Sequence, residues 1–129
     1  MKKVCLTLAG GLLVVALMAS QASALPPFNK EFTAKYVEGN SNAAFVEAVG
    51  TAKCNACHEG KSKKDKNEYG KAVAKFLTKA DFEKVKADAD AAKKYIVEGL
   101  EKAAAEKNAA GKTFGELIAA GELPGGPAQ

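Results

Sequence analysis

The chain has 129 residues, a formal net charge of +4 and 26% charged residues. This length provides for one small domain rather than several. The charge is too small and too evenly mixed to indicate a nucleic-acid-binding protein, so we expect no nucleic-acid partner.

The first 24 residues have the three parts of a secretory signal peptide. Lys2 and Lys3 form a basic start, residues 4–18 form an apolar run, and Ala22-Ser23-Ala24 offers small residues for cleavage. An apolar run of about 15 residues is shorter than the roughly 20 that a membrane-spanning helix needs, which favours a cleaved signal over an uncleaved anchor. We therefore predict a signal peptide over residues 1–24, export to the periplasm, and no membrane span in the mature chain.

The mature domain, residues 25–129, is poor in large apolar side chains. Leu, Ile, Val and Phe together supply 19 of its 105 residues, about 18%, whereas alanine supplies 21. Chains below roughly 20% in these four residue types have difficulty burying enough apolar surface to fold. A bound apolar cofactor would supply the missing surface, so we predict that the protein without its cofactor is poorly packed.

The N-terminal part of the mature domain is predicted to be helical after an extended start at Leu25–Asn29. The apolar residues Phe28, Phe32, Tyr36 and Val37 are spaced as in a short helical arm laid over a core. Ser41 or Asn42 can cap a following helix over residues 43–53. That helix runs directly into the stretch Cys54-Asn55-Ala56-Cys57-His58.

Residues 59–66 form a polar loop that carries four lysines. One interpretation is a solvated surface loop. The other is a positive rim beside a redox site, which would orient an acidic partner protein and raise the rate of encounter.

Further helices are expected beyond this loop. A short one covers residues 71–77, and a long one, capped by Asp81, covers about 82–107. Gly99 lies inside the long helix, where it indicates either a close approach or simple tolerance. Thr113 caps a last short helix, a tail occupies 123–129, and no segment alternates as a strand does. The fold class is all-α, with about four helices.

The pentapeptide Cys54-Asn55-Ala56-Cys57-His58 has the spacing that attaches a haem covalently. Each thiol adds across one vinyl group, and the adjacent imidazole becomes an axial ligand of the iron. Three alternatives compete: a zinc half-site, a thioredoxin-like dithiol and a small disulfide. The chain offers at most three of four zinc ligands, and no βαβ pattern accompanies the dithiol. Haem c, bound by Cys54, Cys57 and His58, is therefore the favoured cofactor.

The pentapeptide resembles the attachment site of c-type cytochromes. The likeness extends loosely over the mature chain, because Asn67-Glu68-Tyr69-Gly70 is similar to an Asn-x-Tyr/His-Gly stretch beside the haem of small monohaem class I members. The resemblance implies a small helical bundle around one covalently bound haem. It also implies that a backbone carbonyl before Asn67 accepts a hydrogen bond from His58. The family has a proline there and this chain has Lys66, whose carbonyl can still accept.

The chain departs from that family at the second axial ligand, which is usually methionine. Met1 and Met18 both lie in the predicted signal, and the mature chain has a single histidine. The sixth position is therefore open, filled by water or a partner, or held by a weaker donor. The donors considered are Tyr69, a lysine such as Lys71, and the α-amine of Leu25 that cleavage would create.

These features predict a periplasmic monohaem cytochrome that carries single electrons between redox proteins. The first alternative is a haem protein that binds or senses NO or CO at an open distal site. The second is the haem subunit of a heteromeric redox complex. Enzyme activity is not expected, because peroxidase chemistry needs a distal acid–base group such as histidine and no second histidine is present.

Overall fold

The computed structural model describes residues 25–62 and 64–127, and within these ranges the chain is helical with no strand. The predicted all-α class is confirmed. The predicted signal peptide, residues 1–24, and Lys63 lie outside the described residues. There are six α-helices in the described part, rather than about four: α1 Pro26–Tyr36, α2 Ala43–Ala52, α3 Glu68–Phe76, α4 Lys79–Val85, α5 Ala89–Ala105 and α6 Phe114–Ala119.

The first helix starts earlier than predicted. Residues Leu25–Asn29 were expected to be extended, but α1 already begins at Pro26. Proline suits the first helical positions, because the N–H that it lacks has no partner inside a helix at that point. Phe28 and Phe32 are buried, so α1 lies over the core as the predicted arm does.

The long helix predicted over residues 82–107 is two helices. A break at 86–88 separates α4 from α5, and each begins at its own cap: Thr78 for α4 and Asp88 for α5. The Asp88 carboxylate accepts hydrogen bonds from the N–H groups of Asp90 (2.9 Å) and Ala91 (3.0 Å). The cap predicted at Asp81 is wrong, since Asp81 lies inside α4.

The caps predicted for two other helices are confirmed. The Asn42 side chain accepts from the N–H of Phe45 at the start of α2. Thr113 and Glu116 form the reciprocal capping box that starts α6. The helix predicted over 71–77 begins three residues earlier, because Asn67 caps α3 at Glu68.

Helix α5 is the centre of the fold and packs against α1, α3, α4 and α6. Gly99 lies where α5 meets the chain at the end of α3. A Cβ at this position would be 2.2 Å from Cδ2 of Leu77, a side chain that is 1% exposed. The close approach considered for Gly99 is therefore present, and the neighbour is the side chain of Leu77, the residue that follows α3. Within the described ranges, no helix combines the length and the apolarity needed to cross a bilayer.

Candidate functional site

The Cys54–His58 pentapeptide folds as a single turn at the end of α2. Residues Lys53–Ala56 form a 3₁₀ turn, and the carbonyl of Cys54 accepts hydrogen bonds from the N–H groups of Cys57 (3.2 Å) and His58 (3.1 Å). Lys53 begins this turn with φ of +49°, a value unusual for a residue with a side chain. The turn brings both cysteines and the histidine to the lining of one cleft.

The His58 ring is held by the loop that follows it. His58 is 3% exposed, and its Nδ1 lies 3.1 Å from the carbonyl oxygen of Asp65. A carbonyl can only accept, so Nδ1 carries the proton and Nε2 of the neutral ring carries the lone pair. This is the tautomer in which Nε2 can ligate a metal. The carbonyl of Lys66 was expected to accept this hydrogen bond, and the carbonyl of Asp65, one residue earlier, accepts it instead. The reason is that the backbones of Lys66 and His58 pair as an isolated antiparallel bridge.

Asn67 connects the loop of the pentapeptide to α3. Its side-chain Oδ1 accepts from the N–H of Gly70 at 2.8 Å, and its Nδ2 donates to the carbonyls of Asn55 (3.1 Å) and Ala56 (3.2 Å). Its own backbone N–H donates to the carbonyl of Cys57 at 3.1 Å. Because Asn67 is only 3% exposed, each of these bonds satisfies a group that would otherwise be costly to bury.

Two glycines allow this connection to close. A Cβ on Gly70 would be 1.9 Å from the carbonyl oxygen of Cys57, and a Cβ on Gly125 would be 1.9 Å from Nδ2 of Asn67. The segment predicted as a tail at 123–129 therefore packs on the site, and Pro124 is buried there. Its last two residues lie outside the described part of the chain.

The cleft beside the pentapeptide has a volume of about 280 Å³. Its lining is mostly apolar and comes from five regions: α1 with the residue before it, the pentapeptide turn with Lys53, the loop residue Lys66, α3 with the residue after it, and α5. The lining residues are Leu25, Pro26, Phe28, Asn29, Phe32, Lys53, Cys54, Cys57, His58, Lys66, Gly70, Val73, Ala74, Leu77 and Leu100. Pro26, Asn29, Lys53 and Cys54 are exposed, so the cleft opens to solvent on their side.

The three donors considered for a sixth ligand are placed differently. Tyr69 does not line the cleft; it is fully buried and its ring packs on Phe32 (centroids 5.9 Å apart) and Phe114 (5.3 Å). Burial raises the pKa of the Tyr69 phenol well above its ordinary value, which disfavours the phenolate that binds iron. Lys71 is exposed and also lies outside the lining. Leu25 does line the cleft.

The two thiols differ in their surroundings. Cys54 is exposed and Cys57 is half-buried, and both are free thiols. Burial, with a smaller contribution from the neighbouring Cys54 charge, raises the pKa of Cys57 to about 12. Within residues 25–62 and 64–127, no group of three or more His, Cys, Asp and Glu side chains is arranged to hold a metal ion, so the zinc alternative gains no further ligand there.

Two contributors to the site were not found from the sequence. The Asp65 carbonyl is a backbone group, and nothing in the residue type marks it. Asn29 was predicted to end an extended segment. Its spacing of four residues from Leu25 and three from Phe32 would place all three residues on one face of a helix. Comparisons with protein-family models, curated proteins and solved structures find no match to this chain.

Proposed function

We propose that this chain is a periplasmic monohaem c-type cytochrome that carries single electrons between redox proteins. In this proposal Cys54 and Cys57 hold one haem c through thioether bonds, and His58 is the proximal ligand of its iron. The observation that carries the proposal is the apolar cleft, whose lining includes both thiols and the imidazole. The position of Tyr69, packed in the core, leaves that cleft clear.

The cleft suits a flat apolar group that is anchored at one edge. Its volume of about 280 Å³ is nearly twice that of an apolar cavity of about 150 Å³ that accepts a benzene ring. Cys54 lies at the exposed side, so a macrocycle larger than the enclosed space can extend towards solvent there. Bound haem supplies the one-electron Fe(III)/Fe(II) couple.

The residues of the chain have three tasks around that group. The Asp65 carbonyl fixes the orientation of His58 and increases the basicity of Nε2. Asn67 holds the pentapeptide turn against α3 through the carbonyls of Asn55 and Ala56. Apolar side chains such as Val73 and Leu100 exclude water from the inner end. Because no methionine ligand is available, we expect a lower reduction potential than that of a His/Met carrier.

The test is export of the full chain from a bacterium that has a c-type haem maturation system. We expect the mature protein to gain the mass of one haem, and we expect Cys54→Ser and Cys57→Ser each to remove one thioether bond. Cys5→Ser is the matched control, because this cysteine lies in the predicted signal, and it should leave attachment unchanged. A secreted, folded protein that carries no covalent haem would contradict the proposal.

The placement of Tyr69 and Lys71 also favours a second candidate, a haem protein that binds NO or CO at an open sixth position. Neither side chain lines the cleft. The spectrum of the reduced protein separates the candidates: a low-spin form that does not react with micromolar CO supports the carrier, and a high-spin form that binds CO readily supports the gas-binding protein. A low-spin state that appears only with a partner supports a subunit of a larger redox complex.

The lysines near the cleft support docking to an acidic partner protein. Lys53 and Lys66 line the cleft, and Lys61 and Lys64 are exposed on the neighbouring loop. Electron transfer to such a partner should slow with rising salt. Replacing the loop lysines by glutamate at positions 61, 63, 64 and 66 should slow it at low salt and remove this decrease with salt. A matched set of exposed lysines that do not line the cleft is the control: Lys79, Lys93, Lys94 and Lys102. A salt-independent rate that is equal in both variants would argue against this docking surface.

A further inference from the structure

The chain that follows α6 is held against the rest of the fold. Residues 121–126, called the C-terminal segment below, leave α6 through a hydrogen bond from the N–H of Glu122 to the carbonyl of Leu117 (2.9 Å). Pro124 is buried, and Leu123 packs against the main core. Burial of this kind ties down a chain end that would otherwise fray.

The C-terminal segment meets the capping side chains of two helices. A Cβ on Gly121 would be 2.0 Å from Nδ2 of Asn42, the residue that caps α2. A Cβ on Gly125 would be 1.9 Å from Nδ2 of Asn67, the residue that caps α3. Only a residue without a Cβ leaves room for the capping side chain in each case. Because α2 leads into the pentapeptide turn and α3 follows its loop, the segment bridges the two helices that flank the turn.

Asn67 connects this contact to the pentapeptide turn. Its Nδ2, the atom that Gly125 approaches, donates to the carbonyls of Asn55 (3.1 Å) and Ala56 (3.2 Å). Its backbone N–H donates to the carbonyl of Cys57 at 3.1 Å. Packing of the C-terminal segment therefore restrains the same side chain that holds the turn.

We propose that the C-terminal segment is a positioning element of the cofactor site: by packing on Asn67, it fixes the backbone that carries Cys57 and His58. The inference rests on the proposed function for the identity of the site, whereas the contacts themselves are made by the chain alone. Helix α5 packs on α1, α3, α4 and α6. Release of the segment should therefore loosen the turn and leave α5 protected.

The test is hydrogen exchange of single backbone N–H groups, measured by NMR on the full mature chain with all variants in the same haem state. The reporters are Asn67 and Gly70, whose N–H groups bond across the junction to the Cys57 carbonyl and to Oδ1 of Asn67. Gly125→Ala places a methyl group against Nδ2 of Asn67. The loss of one or two neutral hydrogen bonds corresponds to roughly 5- to 30-fold faster exchange at the reporters.

The N–H of Leu100 in α5 is the internal reference, and its exchange should stay within about twofold of wild type in Gly125→Ala. Gly50→Ala is the matched control, because a Cβ there would meet nothing within 4 Å, and it should leave the reporters unchanged. Leu123→Ala is a second variant that releases the C-terminal segment without adding bulk. It should speed exchange at the same reporters.

A double variant tests whether the segment acts through Asn67. Asn67→Ala removes the atoms that the new Cβ would meet, so adding Gly125→Ala to it should not change exchange at position 67 any further. Additive effects would overturn the inference. Equal acceleration at Leu100 and at the reporters would overturn it too, since the segment would then act on overall stability only.

Unchanged exchange at the reporters in both Gly125→Ala and Leu123→Ala would also refute the positioning role. This failure is distinguishable from failure of the proposed function, because the exchange rates do not depend on finding haem. A haem-loaded chain without local acceleration refutes only the positioning role. A chain that carries no covalent haem but shows the local acceleration supports the positioning of the turn while the proposed function fails.

Discussion

Replacing Gly70 by alanine should disrupt the junction between α3 and the pentapeptide turn. The new Cβ would be 1.9 Å from the carbonyl oxygen of Cys57 and 2.9 Å from its carbonyl carbon. Ordinary contact begins near 3.4 Å, so the two segments must separate by 3.4 minus 1.9, about 1.5 Å. No change of rotamer can relieve this overlap, because the backbone sets the position of an alanine Cβ and the carbonyl it meets belongs to the backbone of Cys57.

A separation of this size breaks the bonds that cross the junction. The N–H of Asn67 donates to the Cys57 carbonyl at 3.1 Å, and Nδ2 of Asn67 donates to Asn55 (3.1 Å) and Ala56 (3.2 Å). Each such bond contributes about 1 kcal/mol net, and leaving a group buried without a partner costs more. We expect Gly70→Ala to lower the free energy of unfolding by about 3 to 5 kcal/mol. That is a large part of the roughly 5–15 kcal/mol of a small domain.

The measurement is denaturant unfolding followed by far-UV circular dichroism, with all proteins in the same haem state. Gly50→Ala is the matched control. Gly50 is an exposed residue of α2, and a Cβ there would meet nothing within 4 Å. Its replacement should stabilise the protein by roughly 0.5–1 kcal/mol, because alanine is the better helix former. If Gly70→Ala unfolds within 0.5 kcal/mol of wild type, the close approach does not limit the fold.

Three further predictions concern other residues of the site and core. Tyr69→Phe removes a buried hydroxyl that has no hydrogen-bond partner among the described residues. It should therefore raise the free energy of unfolding by about 1 kcal/mol and leave the haem spectrum unchanged. A lost low-spin signal would instead identify Tyr69 as a ligand. The pKa of Tyr36 is raised to about 12 by burial and by Glu101, and that of Tyr69 is raised by burial, so both phenols keep their protons in the folded chain at pH values where they ionise in the unfolded chain. Stability should therefore fall as the pH rises from about 10 through 12, less steeply in Tyr69→Phe, and a rise over that range would contradict the sign. Lys53→Gly should stabilise the folded protein by about 1 kcal/mol, because glycine adopts a positive φ without strain, whereas Lys53→Ala should not. Equal effects of the two substitutions on the free energy of unfolding would show that the backbone at this position is unstrained.

Features set by neighbouring residues could be predicted from the sequence. The caps at Asn42 and Thr113 were found because a cap depends on a polar side chain within three residues of the N–H that it accepts from. The all-α class followed from apolar spacing over most of the mature chain. The pentapeptide places two thiols and an imidazole together by covalent connection alone, whatever the rest of the chain does.

The break between α4 and α5 shows where apolar spacing is insufficient. Phe82 in α4 and Ile96 in α5 are both buried in the same core, so the apolar pattern continues across residues 86–88 without interruption. The break depends on whether Asp88 caps a new helix or remains inside the old one. The packing of the two helices on their neighbours decides between these outcomes, and the spacing of apolar residues along the chain does not indicate that packing.

The site itself depends on contacts between residues distant in the chain. The sequence determined which residues could hold a cofactor: Cys54, Cys57 and His58. The tertiary structure decided that α1 borders the same cleft and that Tyr69 packs in the core instead of lining the cleft. It also decided that the Asp65 carbonyl accepts a hydrogen bond from Nδ1 of His58. A covalent spacing is fixed when the chain is made, whereas a cleft exists only after separate helices have buried their apolar faces against one another.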